Sequence, residues 1–77
     1  MSDVSIRRQQ FQKYRQQFQV SQRRLSIDLD VSESHIRNIE SGRGNPDAKL
    51  LFKLAKYFET TAEDLFPDLA EVEINRS

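Results

Sequence analysis

Apolar side chains recur along this chain at helical spacing. Phe11, Tyr14 and Phe18, with Arg15 among them, stand at the i, i+3, i+4, i+7 intervals of one helix face and predict a helix over residues 5–18. Leu25 and Leu29, four apart, predict a second helix over 22–29, with Val31 plugging the turn below them. Ser32 supplies an N-cap hydroxyl for a third helix over 33–41, in which Ile36 and Ile39 point inward. After the Gly42-Arg43-Gly44-Asn45 loop, Asn45-Pro46 offers a cap and a first helical proline, so a fourth helix is expected over 46–58. Thr61 caps a short fifth helix running to Phe66, and Pro67 is expected to stop it. The Glu71-Val72-Glu73-Ile74 alternation would suit a strand, but four residues are too short a run. The pattern is all-α: five helices in one domain over 1–67, then a tail over 68–77.

The hinge at Asp30-Val31-Ser32 joins two short helices, and the second leaves Glu33, Ser34, Arg37, Asn38 and Ser41 on its outer face. Those types match base edges in a major groove: Asn pairs with adenine, Arg with guanine, Glu accepts from cytosine, and Ser suits either. The same face also fits an ordinary amphipathic helix with a solvated side.

The ordered set Ser21-Gln22, Leu25-Ser26, Val31-Ser32, Ile36-Arg37-Asn38-Ile39-Glu40-Ser41-Gly42 and Pro46, followed by Leu51-Phe52-Lys53-Leu54-Ala55 and Glu63-Asp64-Leu65-Phe66, resembles the lambda-repressor-like (Cro and xenobiotic-response-element type) helix-turn-helix family. That resemblance implies a compact five-helix DNA-binding domain. It also implies a partly buried ion pair between Arg15 and Glu40, tying the first helix to the third. Physically, an Arg among Phe11, Tyr14 and Phe18 needs an acceptor, and Glu40 beside Ile36 and Ile39 needs a donor. Three departures stand out. Gln19, Asp30 and Glu59 occupy turn positions where the family usually has Gly, Ser26 replaces a small Ala, and Arg23 and Arg24 sit where Glu is common.

Composition agrees with one small domain, because 77 residues support a single core at most. No cysteine is present, which excludes disulfides and thiolate metal sites and suits a reducing cytoplasm. No 18-residue apolar run exists and Met1-Ser2-Asp3 does not begin a secretory signal, so a soluble intracellular chain with no membrane partner is expected. Twelve basic side chains balance twelve acidic ones, whereas small DNA binders are often basic. The distribution is bipolar: residues 1–24 carry +5, residues 25–46 carry −2 and residues 47–77 carry −3.

The expected base readers are Glu33, Ser34, Arg37 and Asn38. Backbone contacts are expected from Gln22 at the start of the second helix, from Arg23 and Ser32, and from Arg43 and Lys49 around the loop. A two-fold homodimer reading half-sites about 34 Å apart is expected to use Leu65, Phe66, Leu69, Val72 and Ile74. Phe18, Ile27, Leu50 and Tyr57 are candidates for a surface apolar patch. His35 is the lone histidine, with neither a nucleophile nor a second ligand nearby, so no catalytic pair, metal site, cofactor or small-molecule ligand is expected. The leading reading is a DNA-binding transcriptional regulator, specifically a repressor. The competing one is a protein-interaction module on the same fold, such as an antitoxin or regulatory partner, which the zero net charge favours.

Overall fold

The computed structural model describes residues 8–69, which form α1 (Gln9–Gln17), α2 (Gln22–Leu29), α3 (Glu33–Ser41), α4 (Ala48–Tyr57) and α5 (Ala62–Leu65), with no strand among them. Four helix starts are capped by side chains, each satisfying a backbone donor that the helix itself cannot. Ser21, Ser32, Asp47 and Thr61 accept from the N–H groups of Arg24, His35, Leu50 and Asp64.

Four helices end the same way. After α1, α2, α3 and α4 the chain turns through a left-handed residue, Gln19 (φ 56°), Asp30 (φ 60°), Gly42 (φ 90°) and Glu59 (φ 55°) respectively. At each end two backbone bonds close back on the helix, as Val20 N–H to Arg15 O and Gln19 N–H to Gln16 O do after α1. Val31 to Ser26, Arg43 to Asn38 and Thr60 to Ala55 repeat the longer bond at the other three. This is the Schellman arrangement, made here with glycine at only one of four positions. The residues standing in place of glycine therefore keep the expected turns.

The inward faces converge on one core. Phe11, Leu25, Leu29, Ile36, Ile39, Leu50, Leu54, Phe58, Leu65 and Phe66 are all buried, with Tyr14, Val20, Val31, Leu51, Tyr57 and Leu69 packed around them. Phe58 is the hub: its ring meets Phe11 at 6.1 Å and Phe18 at 5.3 Å, both edge-on, and also meets Tyr14 and Tyr57. Truncating such a side chain to Ala costs about 3–5 kcal/mol.

Several expectations are corrected. Arg8 is not helical, so α1 begins at Gln9; residues 5–7 lie outside the described residues. Helix α4 begins after Asp47, which takes the cap expected of Asn45, because the Asn45 side chain is held by Arg8. Helix α5 stops at Leu65, just short of Pro67 as expected, but residues 67–69 turn helical again, with proline at the first helical position where its missing N–H is harmless. Leu50 belongs to the core and not to a surface patch. Leu65 and Phe66 are 0% and 1% exposed, filling the protomer's own interior, so they present no surface to a second subunit. Val72, Ile74 and the 71–74 alternation lie outside the described residues.

Candidate nucleic-acid interface

The α2–turn–α3 unit is built by its apolar residues. Leu25 and Leu29 of α2 and Ile36 and Ile39 of α3 are buried against each other and the core. This leaves α3 no freedom to rotate its polar side inward. Ser26, where α2 closes on α3, is buried, and its hydroxyl donates to Arg23 O at 2.6 Å. A buried hydroxyl needs such a partner, and this one finds it inside its own helix.

On the outer side of α3, Ser34, Arg37 and Asn38 are exposed and Glu33 is half-buried. Arg37 and Glu33 stand one turn apart with 3.6 Å between Nη2 and Oε2, a solvated pair of small energetic weight. The loop after α3 folds back along the helix: the N–H groups of Arg43 and Gly44 both donate to Asn38 O, at 2.9 and 3.0 Å. Asn38 is thus fixed by its backbone, and among the described residues no protein group bonds its side-chain amide. Ser32 is exposed, its oxygen engaged as the cap of α3. Arg23, Arg43 and Lys49 are exposed. Lys49 and Lys53 face the helix-turn-helix hinge across a shallow recess that also carries His35, Asp30 and Asp47.

Behind α3, Arg15 and Glu40 form a two-pronged pair, Nε to Oε1 at 2.9 Å and Nη2 to Oε2 at 3.0 Å, with side-chain exposures of 17% and 13%. Arg15 Nη1 donates to Val20 O, and Gln22 Nε2 donates to Glu40 Oε1 at 3.1 Å. The Gln22 side chain is therefore committed inward in the free protein, where the family resemblance and the free N–H groups at the start of α2 had suggested a phosphate clamp. Removing one partner of such a pair costs about 3–5 kcal/mol by stranding the other charge.

Three of the six basic residues of the front end meet carboxylates within the protein, two of them in largely buried pairs and Arg24 in an exposed one. Arg8 pairs with Asp68, Arg15 with Glu40 and Arg24 with Asp28. The sequence reading missed Arg8 entirely, since nothing near it in the chain marks it as buried. It also missed Phe52, 70% exposed on α4. Two tyrosines tie elements together at the rim. Tyr57 donates to Asp28 Oδ2 at 2.5 Å, and that bond, aided by burial, raises the phenol above its ordinary value of 10.0. Tyr14 donates to Asp64, as does Thr60 at 3.1 Å, and these bonds lower the Asp64 carboxyl below its ordinary 3.8. Among the described residues, no three His, Cys, Asp or Glu side chains converge as a metal site would need, and no helix is long and apolar enough to cross a membrane.

A polar helix displayed on a buried partner across a tight left-handed turn, with exposed cations around it, defines a helix-turn-helix module. The chain belongs to the Cro/C1-type helix-turn-helix family, whose model it matches over residues 11–65. It is 42% identical over 53 residues to an uncharacterised HTH-type transcriptional regulator of Methanocaldococcus jannaschii, covering 69% of this chain and 80% of the relative. Two uncharacterised HTH-type transcriptional regulators of Archaeoglobus fulgidus are 32% and 30% identical, each over 59 residues, covering 77% of this chain and 83% and 84% of theirs. No solved structure matches significantly. Membership of this family supports a DNA-binding regulator.

Proposed function

We propose that the protein is a sequence-specific repressor of transcription that occupies an operator in the cytoplasm with α3 in the major groove. The observation that carries this is the division of α3: Ile36 and Ile39 are 0% exposed, which obliges Ser34, Arg37 and Asn38 to face outward together. Arg37 and Asn38 have the bidentate chemistry for guanine and adenine, and Ser34 and Glu33 complete the reading edge. Arg23, Arg43 and Lys49, with Ser32 and the start of α2 at Gln22, supply the backbone contacts. No cofactor or small molecule enters this scheme.

A single module reads few base pairs, so two copies bind half-sites about 34 Å apart. With Leu65 and Phe66 consumed by the core, the contact between copies falls to Leu69 and Val72. Light scattering on the operator complex checks this, and a strictly 1:1 complex overturns it. The reader assignment is tested by selecting bound duplexes from a random pool with the native protein and with Asn38→Ala. The expected result is a preference relaxed by about 1–3 kcal/mol at one base pair; an unchanged preference removes Asn38 from the reading edge.

A protein-binding role on the same fold is favoured by one observation, the exposure of Phe52 (70%) and Ile27 (58%) on a molecule of zero net charge. Failure to bind any duplex at low salt would select that reading.

A further inference from the structure

The side chain of Arg8 is 4% exposed, and all five of its N–H groups have acceptors. Nη1 donates to Ile39 O at 2.9 Å and Gly44 O at 2.7 Å, while Nη2 donates to Asn45 Oδ1 at 2.7 Å and Asp68 Oδ2 at 2.9 Å. Nε faces the Asp68 carboxylate at 3.3 Å, and the guanidinium carbon lies 5.2 Å from the centre of the Phe66 ring. Three acceptors thus belong to the end of α3 and the loop after it, and the fourth to the segment after α5.

The middle of that loop has little else to hold it. Residues 42–47 include no large apolar side chain to anchor them in the core; their N–H bonds to Asn38 secure the α3 end, and Asp47, bonded by the N–H groups of Leu50 and Leu51, secures the α4 end. Arg8 grips the stretch between them through Gly44 and Asn45. Arg43, the exposed loop cation, adjoins that grip. Arg8 can stay buried only while Asp68 neutralises it, because an unpaired guanidinium is driven toward water. Released from Arg8, the loop would have to be ordered at the moment of binding, at a cost in affinity.

We infer that Arg8, anchored by Asp68, is a positioning residue for DNA binding: it presets the loop that carries Arg43 and links the segment after α5 to the DNA-facing side. This rests on the DNA reading above. The test is a double-mutant cycle on the selected duplex, titrated by fluorescence anisotropy across a salt series, with urea stability measured for every variant. Arg43→Ala is expected to flatten the salt slope by about one unit. Asp68→Asn is expected to weaken binding and flatten the slope likewise, yet to add nothing once Arg43 is gone. A residue that merely stabilises the fold would lower urea stability while its effect on binding added in full to that of Arg43→Ala. Full additivity, or unchanged binding in Asp68→Asn, overturns the inference. If Asp68→Asn does not fold, Asn45→Ala removes one loop-side bond and must show the same non-additivity, with additivity again overturning it. A wild-type slope in Arg43→Ala overturns the loop's role while leaving the α3 reading intact, whereas a native protein that binds no duplex overturns both.

Discussion

At the scale of single residues, three left-handed turn positions, Gln19, Asp30 and Glu59, carry side chains where the conformation favours glycine. A side chain in that conformation costs about 1–2 kcal/mol, least for Asp and Asn, whose short polar groups bond locally. Gln19 and Glu59 are both exposed, with no packing to offset that cost. Glycine at either site relieves the strain but loses about 0.4–1 kcal/mol through the freer unfolded chain. Gln19→Gly and Glu59→Gly are therefore each expected to stabilise by about 0.5–1 kcal/mol, and Asp30→Gly by less. Urea unfolding checks the order, and a loss of stability at both Gln19 and Glu59 would refute it. Gly42, at φ 90°, needs its glycine, whereas at Gly44 an added Cβ meets Asn38 Cβ at an ordinary 3.5 Å.

At the scale of elements, α2, α3 and α4 each have a side-chain cap at one end and a Schellman closure at the other, and the direction of each is set by two or three buried side chains. Asp47 illustrates how such ends are chosen. Asn45-Pro46 has good local credentials as a helix start, but the Asn45 oxygen faces a buried guanidinium, a stronger donor than a backbone N–H. The cap falls to the next suitable side chain, which accepts from Leu50 N–H at 2.8 Å. Asp47→Ala is expected to cost about 1 kcal/mol in urea while leaving base preference unchanged in the duplex selection, since α3 is held independently by Ile36, Ile39 and Glu40. A shifted preference would mean that α4 influences the reading helix.

At the scale of the whole molecule, the fold is closed by contacts between distant segments. The cluster of Tyr14, Thr60 and Asp64 joins α1 to α5 and the turn before it. A carboxyl held below its ordinary value favours the folded state at neutral pH. That contribution is complete above about 3.8 and is lost as the pH falls from there through the folded value. Asp64→Asn is thus expected to shrink the fall in Tm below pH 4 while lowering Tm at pH 7. An unchanged acid limb would show that other carboxylates govern acid unfolding. The ion pairs also revise the charge map. Arg8, Arg15 and Arg24 answer carboxylates within the protein, as Arg37 answers Glu33 in a solvated pair, whereas Arg23, Arg43 and Lys49 are exposed with no ion pair among the described residues.

What the sequence determined by itself was everything governed by near neighbours. The spacing of Leu25, Leu29, Ile36 and Ile39 dictated which sides of α2 and α3 turn inward. Ser32 and Thr61 started their helices, and the outer face of α3 followed by exclusion. What only the tertiary structure decided lies where partners are far apart in the chain. Arg8 meets residues 31 to 60 positions away, Gln22 turns from solvent to Glu40, and Leu65 and Phe66 become core instead of interface. Periodicity and capping act within a turn or two of helix, so they leave a visible pattern along the chain. A buried charge or aromatic ring is placed by whichever surfaces the packed helices bring to it, and that meeting has no local signature.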